Sequence, residues 1–345
     1  ISCVTPSQES VGTVPVEISL NGVDFTDNYV LFHYTEPSQV LSIRPQSGSM
    51  NGGTKVFING TNFNSTGTFK CAFGDRVVEA EFVSSSSITC ISPSGHVGRV
   101  SVEVTSNGVD YTTNFVQYTY RLPVRLVSVY PTSGPESGGT EIRVVGMNFV
   151  DALDLKCRFS GLLEKTVNAR YISSGAVVCT APELIPGEVK ITVISNGFDE
   201  TAESLSFTVY PFEFIERISP SRGVISGGTS VSIVGGNYIF SSALSCSFDS
   251  VMVPASFISD SKINCFAPAR LDPGIVNLKV TNNGIDFNNE AVDFEYVNLP
   301  SISKIQPERG PIGVPIQVTI HGSGFLEGST WCRVGTGTAV TARVQ

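Results

Sequence analysis

The cysteines are the residues of this chain whose type and spacing most clearly permit chemistry. Three pairs are separated by 19, 22 and 19 residues, namely Cys71 and Cys90, Cys157 and Cys179, and Cys246 and Cys265. A disulfide that closes a loop of this length stabilises a domain by roughly 3 kcal/mol. We predict one disulfide within each pair, and partners outside this chain for Cys3 and Cys332.

The alternatives to disulfides are reduced buried cysteines and a zinc site. Zinc is the weaker alternative, because no pair has the close spacing of roughly two to four residues that zinc ligands favour and no His recurs with the pairs. Disulfides persist in oxidising compartments, so the pairs predict an extracellular or cell-surface protein of the secretory pathway. Two sequons, at Asn59 and Asn64, agree with secretion and are predicted N-glycan sites.

No other residues are arranged for catalysis or for a cofactor. His33, His96 and His321 lie at unrelated positions, which gives no Ser-His-Asp or Cys-His constellation. Residues 335–340, GTGTAV, lack the third Gly and the helix of a dinucleotide loop. Asp151 and Asp154 fit a solvated loop better than a calcium site, since the EF-hand pattern is absent. We expect no enzyme activity, no cofactor and no metal.

Composition and charge narrow the classes of partner. The 345 residues carry a formal net charge of −9, and only 15% of them are charged. An acidic chain lacks the cationic surface that nucleic acids and anionic lipids require. No run of about 18 apolar residues is present, so we expect no membrane insertion by this segment.

A repeat of about 87 residues organises the whole sequence. PQSGSMNGGTKVFINGTNF begins at Pro45, PTSGPESGGTEIRVVGMNF at Pro131 and PSRGVISGGTSVSIVGGNY at Pro220. A looser copy at Pro307 has Val314-Pro315 in place of the second Gly and the Thr. An Asn-Gly turn also recurs, and its glycines are 86, 89 and 87 residues apart, at Gly22, Gly108, Gly197 and Gly284.

Each part of the repeat predicts a local structure. The paired glycines supply positive φ for a tight turn into a strand, and that strand alternates apolar residues such as Val56 and Ile58. The Asn-Gly dipeptides predict short β-hairpins. An Asp follows each hairpin Gly by two residues, at Asp24, Asp110, Asp199 and Asp286. We assign these aspartates to turn chemistry or hairpin polarity, with an interdomain or ion contact as the alternative.

These motifs resemble those of the IPT/TIG family of immunoglobulin-like domains, and the resemblance covers the whole chain. It implies an all-β fold of tandem β-sandwiches, arranged as an elongated rod. The predicted units are the C-terminal part of a domain at 1–36, complete domains at 37–121, 122–211 and 212–298, and the N-terminal part of a domain at 299–345.

The resemblance leaves the function open between a stiff structural segment and a ligand-binding receptor. Our first expectation is a non-catalytic segment of a giant extracellular protein, which forms a stalk, a surface filament or a flagellar-hair-like shaft. Its partners would be further copies of the chain or other extracellular proteins, with N-glycans on its surface. The alternative is the stalk of a receptor or adhesion ectodomain that binds a protein ligand.

Overall fold

The computed structural model describes residues 1–65, 67–328 and 330–345, and their regular structure consists of β-strands. Residues 1–36 form one antiparallel hairpin from β1 (Gly12–Val16) and β2 (Val30–Tyr34). None of the described residues forms a helix that is long and apolar enough to cross a membrane.

Each of the three complete domains is built from eight strands. The strands of the first domain are β3 (Gln39–Arg44), β4 (Ser47–Ser49), β5 (Lys55–Thr61), β6 (Lys70–Phe73), β7 (Arg76–Ser84), β8 (Ser87–Ile91), β9 (Gly98–Thr105) and β10 (Val116–Arg121). Those of the second are β11 (Arg125–Tyr130), β12 (Ser133–Pro135), β13 (Glu141–Met147), β14 (Lys156–Ser160), β15 (Glu164–Ser173), β16 (Ala176–Thr180), β17 (Gly187–Ile194) and β18 (Leu205–Tyr210). Those of the third are β19 (Phe214–Ser219), β20 (Arg222–Val224), β21 (Ser230–Gly236), β22 (Ser245–Phe248), β23 (Val251–Ser259), β24 (Lys262–Phe266), β25 (Gly274–Thr281) and β26 (Val292–Val297).

The same strand order recurs in all three domains and makes a sandwich of two sheets. In the first domain the order is β3-β5-β8-β7-β6-β9-β10-β4. Strand β7 pairs with β6 through its first half and with β8 through its second half, so it passes from one sheet to the other. The short strand β4 pairs in parallel with β10 and leads into the paired glycines. Two packed sheets with an edge strand of this kind are typical of an immunoglobulin-like sandwich.

Alternation along the strands fills the core, as the sequence predicts. Val56 and Ile58 are fully buried, while Lys55 and Asn59 on the opposite face of β5 are exposed. Cys71 and Phe73 of β6 face the same core from the other sheet. Both paired glycines take the left-handed conformation in each complete domain, with φ of 77° and 86° at Gly52 and Gly53, which confirms the predicted turn.

The prediction of short Asn-Gly hairpins is wrong in its loop length. Strands β9 and β10 are antiparallel neighbours, but residues 106–115 separate them, and Asn107-Gly108 is one tight turn inside that longer connection. The isolated bridge between Thr105 and Tyr111 closes this turn. A pair of residues that prefers positive φ marks a turn, but it does not set the length of the connection around it.

Residues 299–345 form two separate antiparallel hairpins. The first joins β27 (Ser301–Gln306) to β28 (Thr319–Ser323), and the second joins β29 (Trp331–Cys332) to β30 (Val340–Thr341). The first hairpin has the register of the β3–β5, β11–β13 and β19–β21 pairs, with a bulge at the equivalent place.

Candidate functional site: the joints between domains

Each Asn-Gly-x-Asp turn is held by its own side chains. The Oδ1 atom of Asn196 accepts hydrogen bonds from the backbone N–H groups of Phe198 (3.0 Å) and Asp199 (2.7 Å). Its Nδ2 atom donates to Oδ2 of Asp199 at 2.9 Å. Asn107 and Asn283 make the same set of bonds within their turns. The turn therefore presents an amide and a carboxylate in a fixed arrangement.

In the first joint, between the first and second complete domains, this turn contacts the preceding domain. Oδ2 of Asp199 accepts a hydrogen bond of 2.7 Å from the Thr54 hydroxyl. Nδ2 of Asn196 donates to the Ser47 carbonyl at 2.9 Å. Thr54 is the Thr of the Gly-Gly-Thr motif, and Ser47 lies in the Pro-x-x-Gly motif. One turn thus makes one side-chain and one backbone contact across the domain boundary.

The second joint, between the second and third complete domains, repeats both contacts. Oδ2 of Asp286 accepts a hydrogen bond of 2.6 Å from the Thr140 hydroxyl, and Nδ2 of Asn283 donates to the Ser133 carbonyl at 2.9 Å. We call the surface made by the Pro-x-x-Gly and Gly-Gly-Thr segments the receiving corner. The sequence assigned the recurring aspartates mainly to the turn, and the structure gives Asp199 and Asp286 an interdomain contact as well.

The glycine of Pro-x-x-Gly leaves the space that the threonine side chain occupies in the receiving corner. A Cβ atom on Gly48 would lie 2.1 Å from Oγ1 of Thr54, and one on Gly134 would lie 2.5 Å from Oγ1 of Thr140. Any larger residue would collide with the threonine that binds the next domain. The two motifs are therefore a single feature in space, although six residues separate Gly48 from Thr54 in the sequence.

The Asn of Gly-x-Asn-Phe fixes the start of each domain. Asn62, Asn148 and Asn237 all have positive φ. Their Nδ2 atoms donate to the carbonyls of the residues at the domain boundaries, at 3.0, 2.9 and 2.8 Å, namely Pro37, Pro123 and Phe212. This hydrogen bond holds the residue at which each domain begins against the turn that follows β5, β13 or β21.

The first joint has additional contacts at its rim. Arg44 at the end of β3 forms an ion pair of 2.9 Å with Asp154 of the second domain. The rings of Phe57 and Phe198 lie 5.3 Å apart, centroid to centroid. The same joint also contains a cavity of about 290 Å³, which is lined by Ser47, Arg121 and Arg125 together with Asn196, Glu200 and Glu203. Asp154, expected in a solvated loop, is thus an interdomain partner of Arg44.

The second joint contains a buried acid in place of these rim contacts. Glu213, in the link between the domains, is only 2% exposed. Its carboxylate accepts hydrogen bonds from the backbone N–H (3.3 Å) and Nδ2 (3.2 Å) of Asn282. Burial raises the pKa of Glu213 to about 7, the bonds from Asn282 oppose the rise, and the nearby Asp286 adds to it. Burial, and then Glu213 and Asp286, also raise the pKa of Tyr210.

The IPT/TIG domain family model matches residues 38–120, 123–209 and 214–296, which together make up more than half of the chain. The chain belongs to the IPT/TIG family. Fibrocystin-L of Mus musculus is 27% identical over 306 residues, which are 86% of this chain and 7% of that protein. Plexin-A3 of Homo sapiens is 26% identical over 212 residues, which are 59% of this chain and 11% of that protein.

This chain is similar to the solved structure of the full extracellular region of plexin A4, with a TM-score of 0.40 and 17% identity. The superposition covers 88% of this chain and 30% of the plexin A4 chain. The chain spans only 7% to 11% of the length of the fibrocystin-L and plexin-A3 relatives. The three IPT/TIG domains are extracellular or cell-surface domains, as the cysteine pairs predict.

The structure joins the paired cysteines within each IPT/TIG domain. The bonded pairs are Cys71 with Cys90, Cys157 with Cys179, and Cys246 with Cys265, with Cα atoms 6.5, 6.3 and 6.4 Å apart. All six are buried and link the two sheets. Cys3 is an exposed thiol and Cys332 a half-buried one, and a partner outside this chain stays a prediction for each of them.

The two predicted glycan sites lie close together near the end of β5 in the first IPT/TIG domain. Asn59 and Asn64 are both exposed. The sequon of Asn64 ends at Thr66, which lies outside the described residues. Glycan occupancy at both positions stays a prediction.

The remaining candidates for chemistry do not come together. Among the described residues no group of three or more His, Cys, Asp or Glu side chains could hold a metal ion. His33 contacts the Thr13 hydroxyl at 2.9 Å in the first hairpin, far in the sequence from His96 and His321. Residues 333–339 connect β29 to β30, where a dinucleotide loop would need a helix to follow.

Proposed function

We propose that this chain is a non-catalytic segment of the stalk of an extracellular or cell-surface protein. In this role, docked IPT/TIG domains set the distance and direction between whatever lies on either side of them. The observation that carries the proposal is the repetition of the joint, in which equivalent residues make the same two hydrogen bonds at both domain boundaries. A flexible tether would need neither contact.

The length of the links supports docking over free rotation. Strand β10 ends at Arg121 and β11 begins at Arg125, while β18 ends at Tyr210 and β19 begins at Phe214. Such links leave little slack for one domain to move away from the next. Inter-domain motion is the ordinary expectation unless an interface restricts it, and here the joint contacts supply that restriction.

The relatives favour the stalk over the other structural roles. They are fibrocystin-L and plexins, and they give no support to a flagellar-hair-like shaft. Other extracellular proteins are the class of partner that we propose, consistent with the acidic, sparsely charged composition.

Small-angle scattering of the whole chain tests the proposal. Each complete domain should be about 30 to 40 Å long, from strands that rise roughly 3.3 Å per residue plus their loops. We expect the pair-distance distribution of a rod, with a peak near the width of one domain and a long tail to a maximum dimension above about 100 Å from three domains in line. A range of dimensions typical of freely jointed domains, or a compact particle, would contradict the stalk. Non-reducing peptide mapping, in which the Cys71 and Cys90 peptides should be linked, tests the extracellular assignment separately.

A further inference from the structure

The cavity at the first joint lies between two complete domains and is lined from both sides. Ser47 and Arg121 belong to the first domain, and Val124, Arg125 and Ser195 belong to the second. Its volume of about 290 Å³ is close to the lower end of the range for small-molecule sites, which is roughly 300 to 1,000 Å³. Such sites occur preferentially at domain interfaces, so both the size and the place of the cavity suit a small ligand.

The second joint fills the corresponding space with its own side chains. It has Tyr210 in place of Arg121 and Glu213 in place of Val124. Tyr210 and Glu213 are each only 2% exposed, and Asn282 holds the Glu213 carboxylate by two hydrogen bonds. The first joint therefore lacks an aromatic ring and a carboxylate that the second joint holds in its interior.

Two arginines at the cavity carry positive charges that are not paired. Arg121 and Arg125 both line it, and neither side chain makes an ion pair or a hydrogen bond within the part of the chain that the structure describes. A guanidinium group can bind a carboxylate through two parallel N–H donors. Leu122, Val124 and Val150 contribute apolar lining. The cavity thus offers donors for a carboxylate and an apolar wall for the rest of a ligand.

The acidic residues of the lining leave one charge that opposes an anion. Oδ2 of Asp199 already accepts a hydrogen bond from the Thr54 hydroxyl, and Glu200 forms an ion pair of 2.7 Å with Arg158. Glu203 also lines the cavity, and its carboxylate has no such partner among the described residues. The unpaired charges at the cavity are therefore two positive and one negative, which favours an anion over a cation.

We propose that the cavity of the first joint binds a small aromatic carboxylate. Such a ligand supplies from outside the ring and the carboxylate that Tyr210 and Glu213 supply at the second joint, and its carboxylate pairs with Arg121 and Arg125. Because residues of both domains line the cavity, the ligand binds the docked joint in preference to separated domains and thereby stabilises docking. The inference goes beyond the stalk, and it rests on the docking of the two domains that the stalk requires.

A titration of the full chain with benzoate, followed through its amide signals by NMR, tests the proposal. Benzamide is the matched probe, because it has the same ring and no charge. We expect benzoate to bind at least about tenfold more tightly than benzamide, since only the carboxylate pairs with the two guanidinium groups. The shifts should centre on the cavity, at Arg125, Ser195 and their neighbours. A smaller preference, no binding, or shifts centred elsewhere would overturn the proposal.

Single-charge variants test which side chains hold the carboxylate. Arg121→Gln should weaken benzoate binding by about two- to fivefold, the range for an exposed ion pair, and should leave benzamide binding unchanged. Arg99→Gln is the matched control, because Arg99 is an exposed arginine on β9 of the same domain, and it should bind benzoate like the parent protein. Glu203→Gln should strengthen benzoate binding, since it removes the opposing charge. Equal affinities for the Arg121 and Arg99 variants would contradict the proposed site.

A cavity-filling variant separates the ligand site from the stalk. Val124→Glu combined with Ser195→Asn places the polar pair of the second joint in the cavity of the first, so benzoate binding should be lost while scattering still reports docked domains. Benzoate binding that survives this change would overturn the proposal. If the parent protein scatters as a rod and does not bind benzoate, the ligand site fails and the stalk stands, whereas freely jointed domains would contradict the stalk itself.

Discussion

The two joints share their hydrogen bonds and differ in what surrounds them. In both, a Thr hydroxyl and a backbone carbonyl meet one Asn-Gly-x-Asp turn. The first joint adds an exposed ion pair and a pair of aromatic rings at its rim. The second has Tyr130 and Ala243 at the positions equivalent to Arg44 and Asp154, so it lacks that ion pair.

The buried residues also differ, and here the additional contact belongs to the second joint. Glu213 and Asn282 form a buried polar pair beneath the second joint, where the second domain has Val124 and Ser195 in equivalent positions. The repeated motif therefore determines how adjacent domains dock. We expect residues outside the motif to determine the response of each joint to its surroundings: salt should act on the first joint, and pH should act on the third domain, which forms one side of the second joint.

Glu213→Gln should have the largest effect, and it should appear as a change in pH dependence. The ordinary pKa of 4.5 applies to the unfolded chain, and burial raises the folded value to about 7. Between these values the folded protein holds a proton that the unfolded chain has lost, so the free energy of unfolding of the third domain falls as pH rises. The full difference is about 3 kcal/mol above pH 7. The Gln variant should lack this slope.

Hydrogen exchange of third-domain peptides at pH 5 and pH 8, corrected for intrinsic exchange rates, measures the slope. Glu216→Gln is the matched control, because Glu216 is an exposed carboxylate on β19 of the same domain. That control should keep the pH dependence of the parent protein. A Glu213→Gln protein with the slope of the parent would show that Glu213 is ionised in the folded state throughout.

Thr140→Val should weaken the second joint by about 1 to 2 kcal/mol, since the carboxylate of Asp286 loses a hydroxyl donor. Thr54→Val should weaken the first joint less, because its ion pair and rings remain. Exchange protection of the turns at Asn283 and Asn196 measures each effect. Thr229→Val is the matched control with no turn against it, and it should alter neither joint. A larger loss at Thr54 than at Thr140 would reverse the ranking of the two joints.

The sequence predicts the domains far better than it predicts the joints. Alternation at Val56 and Ile58, positive φ at the paired glycines and the cysteine phase all follow from contacts within one repeat. The bond between Thr54 and Asp199 spans 145 residues, so it depends on how two folded domains are oriented. No local pattern encodes that orientation.

A signal for the joint was nevertheless present in the repeat. The positive φ of the turn explains why the paired glycines recur. It does not explain why Thr follows them or why the Asn-Gly turn ends in Asp, because Ser and Asn could make the same local hydrogen bonds. Two recurring side chains without a local requirement indicate a contact with each other. Glu213 gave no such signal, because it occurs in one repeat alone and only the fold shows that it is buried.

Phe198→Ala should weaken the first joint by about 0.5 to 1.5 kcal/mol, the usual range for an aromatic pair. The ring of Phe198 lies 5.3 Å from that of Phe57 across the domain boundary, and the second joint has Ile285 and Arg143 at these positions. Ile285→Ala is therefore the matched control. Exchange protection at the Asn196 turn should fall in the Phe198 variant, while the Asn283 turn should change less in the control. Equal changes would mean that the rings contribute only buried area.

Arg44→Gln should have the smallest effect, below about 1 kcal/mol, because both partners of the ion pair are exposed to solvent. The side chains of Arg44 and Asp154 are 64% and 40% exposed, so dissolved ions screen their attraction. The parent protein should lose protection at the Asn196 turn as salt is raised, and the variant should start lower and change little. Arg217→Gln removes an ion pair within the third domain whose side chains are 65% and 61% exposed, and it should leave the salt response of the first joint intact. If the Arg44 variant keeps that response, the salt sensitivity comes from the cavity-lining charges at Arg121, Arg125 and Glu203, and the contrast between the joints then rests on the cavity and not on the rim.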